Sequence, residues 1–217
     1  RPSVAIDPSG GFVVVWTGVS QDSDGSAGIY GQIYGADGSP VGDEFHVNTT
    51  IESGQWDAVL AMDDNGGFVV AWSSYTGGAF AQRYDATGNA LGGEFQVNTT
   101  SISTKGAPSI GMSSDGRFVI TWEAPGIDSG STYGVFAQRY SADGTPQGVE
   151  FPVNTEIAGD QSDASVSMSA DASFVVTWNS AGQDDGNTWG VFGQRFDSTG
   201  SAVGGEFQVA TTSSNDQ

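Results

Sequence analysis

The chain has 217 residues, 26 acidic side chains against 6 basic ones, a formal charge of −20, 33 glycines and no cysteine. That balance excludes partners read through phosphates or anionic membrane surfaces, which need Lys and Arg. The missing cysteines exclude disulfides, thiol nucleophiles and cysteine-ligated zinc, and the single His46 leaves neither a histidine-rich metal site nor a second candidate for a histidine-based triad.

Nineteen of the acids are Asp and seven are Glu. Asp favours turns, because its short carboxylate bonds nearby backbone, so most of the charge is turn and loop charge. No stretch approaches the roughly 18 apolar residues of a membrane helix. The chain starts at Arg1-Pro2, inside a repeat and without a signal peptide, so its natural start is expected to lie elsewhere or to have been removed.

One unit is written four times. Gly-x-Phe-Val-x-x-Trp, degenerate at its first position in the fourth copy, ends at Trp16, Trp72, Trp122 and Trp178. A second anchor places glutamine at Gln32, Gln82, Gln138 and Gln194, and a third, Glu-Phe-x-Val or a close variant, places Phe at Phe45, Phe95, Phe151 and Phe207. The repeats run 1–50, 51–106, 107–156 and 157–217. A period of about 50 residues is that of a four-stranded propeller blade. It also means that a specific activity belongs where the copies differ.

Each copy reads as four short strands. Strand A covers 3–6, 58–62, 109–112 and 165–168, with small residues between Val, Ile, Leu and Met. A turn rich in Asp, Ser and Gly leads to strand B at 12–16, 68–72, 118–122 and 174–178. Strand B is apolar on both alternating faces, as a strand covered on both sides must be. Strand C follows at 29–34, 79–84, 135–140 and 191–196, then a Gly-containing hairpin, then strand D at 44–47, 94–97, 150–153 and 206–209. No segment carries helical periodicity with caps. The fold class is therefore all-β, a single domain of four-stranded antiparallel blades in a β-propeller, either four-bladed or part of a larger one; a β-solenoid is the fallback.

The patterns Gly-Gly-Phe-Val-Val-x-Trp, Gly-x-Phe-x-Gln-Arg-Tyr and Gly-Gly-Glu-Phe-x-Val-Asn-Thr resemble tandem repeats of very large secreted bacterial proteins, which often carry hemolysin-type calcium-binding or adhesin-like modules. The resemblance spans the whole chain and implies an extracellular, modular setting. The end of the fourth copy is in step with the start of the first. Either a four-bladed ring closes on itself, the arrangement preferred here, or the chain is a segment of a longer array. Open end blades would expose apolar faces, and self-association through them is the remaining alternative.

The copies differ most between strands B and C, where copy two is six residues shorter. The long loops carry Asp22, Asp24 and Ser26, then Asp128, then Asp184 and Asp185. Asp-x-Asp-Gly is part of many calcium loops, since calcium takes six to eight oxygens and glycine permits the sharp turn; the alternative is a plain acidic loop. Trp189, Tyr133, Trp56 and Tyr75 break the repeat, and with Asn187 they are candidates for stacking on a sugar face while polar groups hold its hydroxyls.

Residues that repeat read as structure. The four strand-B tryptophans are core, Asn48, Asn98 and Asn154 are turn formers, and Glu94, Glu150 and Glu206 are expected to pair across strands with Arg83, Arg139 and Arg195 of the same blade. The expected function is a non-enzymatic extracellular binding or adhesion module, with calcium-dependent carbohydrate binding its specific form. The alternatives are a structural spacer or matrix repeat and, third, a polysaccharide-active enzyme. The enzyme reading lacks a unique constellation, because the non-repeating Glu52, Glu123 and Glu156 are spread over two copies and lie far apart in sequence.

Overall fold

The computed structural model describes residues 1–22, 25–75, 77–99, 106–125, 133–157, 159–183 and 189–210. It has four separate four-stranded sheets, each hydrogen-bonded in chain order. Sheet one is β1 (Ser3–Ile6), β2 (Phe12–Gly18), β3 (Gly28–Tyr34) and β4 (Pro40–His46). Sheet two is β5 (Gln55–Met62), β6 (Phe68–Ser74), β7 (Gly78–Tyr84) and β8 (Phe95–Gln96). Sheet three is β9 (Ser109–Met112), β10 (Phe118–Pro125), β11 (Tyr133–Tyr140) and β12 (Phe151–Pro152). Sheet four is β13 (Gln161–Met168), β14 (Phe174–Ala181), β15 (Trp189–Phe196) and β16 (Phe207–Gln208). The expected all-β propeller of four antiparallel blades is what the chain forms.

Each blade is an antiparallel meander because its turns are local and chemically specified. Asp7 Oδ1 accepts the Ser9 and Gly11 amides at 2.7 and 3.1 Å, and Asp63 does the same for Asn65 and Gly67 at 2.8 and 2.9 Å. Gly10, Gly66 and Gly116 then take φ of 92°, 82° and 84°, the left-handed conformation that costs a residue with a Cβ. In the fourth copy Ala172 stands at this position and still adopts φ 64°. The C–D hairpins repeat the device through Asp85 and Asp197. Turns of this kind account for part of the excess of Asp over Glu.

The core lies between blades. Three apolar clusters join sheets one and two, two and three, and three and four. Trp72, Trp122 and Trp178 sit fully buried in them, each facing a phenylalanine of strand C at 6.5, 6.2 Å or the equivalent pairing. Among the described residues no apolar cluster joins sheet four to sheet one, where a self-closed ring would have its fourth interface. Trp16, the first copy's tryptophan, is accordingly only half-buried.

Repeated polar residues also act between blades, which corrects the expected Arg–Glu pairing within each blade. Glu94 accepts the Thr49 amide at 2.7 Å, Glu150 the Thr99 amide at 2.7 Å, and Glu206 the Thr155 amide, in each case from the linker of the preceding repeat. Arg83 donates to the Asp143 carbonyl at 2.5 Å and Arg139 to the Thr199 carbonyl, in the hairpin of the following repeat. Tyr84 and Tyr140 donate their hydroxyls back to Val47 and Val97 carbonyls. Asn48, Asn98 and Asn154 are more than turn formers: buried, they accept the amides of Ile29, Ala79 and Val135, tying the end of strand D to the start of strand C.

Candidate active site

The first strand of each blade lies innermost, and its small residues let neighbouring blades approach. Gly111 shows the limit, since a Cβ there would lie 3.4 Å from the Met168 Cβ and 3.2 Å from its amide. At one end of these strands the approach opens into a cavity of about 470 Å³. Its wall includes Arg1, Asp57, Ala107, Glu123 and Asp163.

Four of those five residues occupy one position of the repeat. Arg1, Asp57, Ala107 and Asp163 align copy by copy. In sheets two and four the strand bulges there, with the register slipping between Trp56 and Val59 and between Ser162 and Ser165. Asp57 and Asp163 take φ of 55° and 52°, and Ala107 takes 31°. A bulge re-aims a side chain, and non-glycine residues held in this region are a recognised mark of functional positions. The backbone presents the same vector to the axis several times, and the sequence varies what it carries.

The second axial position is Thr17, Ser73, Glu123 and Asn179. Glu123, buried, accepts the Asp163 amide at 2.6 Å across the interface between sheets three and four. Asn179 donates to Asp163 Oδ2 at 3.2 Å, and the Ser162 hydroxyl reaches the same oxygen at 3.4 Å. Asp163 is thus fixed from two blades while its side chain stays exposed. Asp57 is exposed as well. The site holds three carboxylates with an arginine on the same wall, which can exchange protons with a ligand and bond its hydroxyls.

The expected ligand residues are placed differently. Trp189 and Tyr133 open β15 and β11, half-buried and paired in register with Ala181 and Pro125, so they belong to the sheets rather than to loop tips. The Tyr133 amide donates to Asp160 at 3.0 Å. Trp56 and Tyr75 do come together, edge to face with centroids 6.4 Å apart, and Tyr75 is exposed. Trp56 immediately precedes Asp57, and its buried Nε1 has no hydrogen-bond partner. Asn187 lies outside the described residues, as do Asp24, Asp128, Asp184 and Asp185 of the calcium candidates.

Asp22 and Ser26, the described calcium candidates, do not converge. Asp22 is buried, accepts the Tyr30 hydroxyl at 2.8 Å, and lies 3.0 Å from His46 Nε2, while Gly28 packs on its carboxylate so closely that a Cβ would clash. The Tyr30 ring stacks on His46 with centroids 4.8 Å apart. Burial, then the Asp22 carboxylate, pushes the Tyr30 hydroxyl up to about 12. Ser26 donates instead to the Ile51 carbonyl at 3.0 Å. Among the described residues no group of three carboxylates or histidines could hold a metal ion.

Asp57 and Asp163 escaped the sequence reading, which searched the loops. The available signal was the contrast at aligned positions, Arg, Asp, Ala and Asp directly before a strand whose neighbours repeat faithfully.

No family model matches the chain, and no curated protein matches it. Solved structures do. A protein of unknown function from Dyadobacter fermentans superposes with a TM-score of 0.69 at 13% identity, over 95% of this chain and 68% of its own. An alpha-L-arabinofuranosidase from Lactobacillus brevis gives 0.57 at 12% identity, over 97% and 77%. An endo-arabinase from Bacteroides thetaiotaomicron gives 0.52 at 14% identity, over 97% and 80%. At these identities the likeness establishes the β-propeller fold. It also corrects the expectation of a non-enzymatic adhesion or spacer module, because the propellers this chain is similar to include an endo-arabinase and an alpha-L-arabinofuranosidase. Among the described residues no helix is long and apolar enough to cross a membrane.

Proposed function

We propose that the chain is a polysaccharide-active enzyme of the glycoside-hydrolase type, with the axial cavity as its active site. The observation that carries the reading is the pair Asp57 and Asp163, set at two copies of one bulged position on the cavity wall. Glycoside cleavage uses two carboxyl groups about the scissile bond: one protonates the leaving oxygen, and the other activates water or attacks the anomeric carbon. Asp57 and Asp163 take these two parts. Glu123 is a positioning residue, because it reaches the cavity through the Asp163 amide. Arg1 bonds sugar hydroxyls on the same wall, and the Trp56–Tyr75 pair, next to Asp57 in sequence but outside that wall, offers an aromatic face for a longer sugar chain. The similarity to an endo-arabinase and an arabinofuranosidase makes arabinose-containing polysaccharides the first substrates to try.

The test is reducing-sugar release from linear arabinan, arabinoxylan and an aryl arabinofuranoside. Release is expected from at least one, and Asp57→Asn and Asp163→Asn should each lower it by roughly 10²–10⁴-fold, the usual contribution of a positioned acid or base. Folded protein that releases nothing from any of the three, or variants that retain full activity, would contradict the reading.

A further inference from the structure

Among the described residues the interface between blades is made three times, and each of its halves is also uncovered once, on sheet one and on sheet four. The leading face of a blade is shown by sheet two, where Leu60, Phe68, Val70 and Trp72 are buried against sheet one. On sheet one the aligned residues are Val4, Phe12, Val14 and Trp16; Val4 is 63% exposed, and Ile6, aligned with Met62, is 66% exposed. The trailing face is shown by Val47, Val97 and Val153, which are 1–2% exposed. Their counterpart on sheet four, Val209, is 49% exposed, and Phe207 beside it is 41% exposed.

The polar links are split in the same way. Inside the chain an arginine of one blade bonds a hairpin carbonyl of the next, and a tyrosine of one blade bonds a valine carbonyl of the one before. At the ends, Arg195 is exposed on sheet four, and its matching carbonyl is that of Asp37 on sheet one. Tyr34 stands on sheet one, and its matching carbonyl is that of Val209 on sheet four. The groove on sheet two, about 220 Å³, is lined by its own Arg83 and Leu91 and on its other side by Met112, Gly116 and Ala142 of the third copy. Sheet four has the same groove, about 430 Å³, lined by Val175, Arg195 and Val203. The residues that match the far wall of the groove on sheet two, Ile6, Gly10 and Ala36, belong to the first copy.

We propose that sheet four of one chain docks on sheet one of a second copy, extending the blade-to-blade packing between molecules. The contact is head to tail, so it closes into a ring or continues as an open run according to the rotation per interface. Both apolar faces are then covered and both split links are made. This does not depend on the enzymatic reading.

Two measurements test it. The first is mass in solution by light scattering over a concentration series. The mass should rise to at least twice that of one chain, and Ile6→Asp, on a residue exposed in the single chain, should return it to one chain without lowering the melting temperature. The second uses the absence of cysteine. Gly111 and Met168 meet across an internal interface, where a Cβ placed on Gly111 would lie 3.4 Å from the Met168 Cβ, near the span of a disulfide, and their counterparts at the open ends are Ser167 and Ile6. Mixing Ser167→Cys protein with Ile6→Cys protein under oxidation should give a linked heterodimer in preference to either homodimer. A single-chain mass at every concentration, no heterodimer, or a double variant that links only within one chain would overturn the proposal; the last result would mean that the chain closes on itself.

Discussion

The faces between blades and the axial end of the blades are built from the same four copies, yet they follow opposite rules. Between blades the copies agree: Trp72, Trp122 and Trp178 are all buried, and Glu94, Glu150 and Glu206 all accept amides from the preceding linker. At the axial end the copies diverge, with Arg1, Asp57, Ala107 and Asp163 on one backbone position. An interface that recurs must be self-consistent, because each blade serves as neighbour on both sides. A cavity on the axis is met once, so each copy can bring a different group to it. Repetition marks the packed interfaces of this chain, and the axial position is where its copies differ in chemical character.

The contrast can be broken first on the repeated side. Trp122→Ala should cost about 3–5 kcal/mol, the range for emptying a buried aromatic site, read as a lowered denaturant midpoint. Trp16→Ala, the same substitution in the same motif, should cost clearly less, because Trp16 lies on the open face of sheet one and is only half-buried. Equal losses, at concentrations where the chain is single, would mean that the open face is covered within the chain.

Acid sharpens the comparison more gently. Hydrogen bonds from Arg117 and Ser113 hold the Asp115 carboxyl at about 2, those from Ser141 and Thr145 do so for Asp143, and those from Ser169 and Ser173 for Asp171. A carboxyl depressed on folding stabilises the fold above its ordinary value and loses that contribution as pH falls through the folded value. The melting temperature should therefore be flat above about pH 5 and decline between about pH 4 and 2. These turns are exposed, so the decline should be shallow. A fall beginning near neutral pH would point away from the turn aspartates.

The smallest expected effect concerns the one copy that departs from the turn rule. Ala172 holds φ 64° where the other three copies place glycine. Ala172→Gly should raise stability by up to about 1 kcal/mol, the relief of a left-handed Cβ offset by glycine's greater entropy in the unfolded chain. A loss would mean that the buried methyl packs well enough to outweigh its backbone.

Most of the fold was legible in the sequence. Phe-Val-x-x-Trp and Gln-Arg-Tyr recur at nearly fixed spacing, so four copies reported on each strand, and the twelve A, B and C strands lie within a few residues of where the pattern put them. Links between copies were not legible. Glu94 and Arg83 sit near one another in sequence and invite pairing, but each bonds a different neighbouring blade, and that choice is set by the stacking of sheets rather than by local spacing. The axial site was hidden for a related reason. Asp57 and Asp163 read locally as polar residues before a strand, Glu123 as a residue after one, and only the closing of blades about an axis brings them to one cavity. The aromatic candidates misled because an aromatic residue that breaks a repeat can open a strand, as Trp189 and Tyr133 do, as readily as it can face a ligand.

The central claim is that the chemistry sits where the axial position varies and the fold does not depend on it. The most direct measurement takes the Asp57→Asn, Asp163→Asn double variant and reads its denaturant midpoint and its release of sugar from arabinose-containing polysaccharide beside the wild type. The account predicts an unchanged midpoint with activity lowered by at least about 10²-fold. A double variant that keeps its activity, or that unfolds as readily as one lacking Trp122, would contradict it.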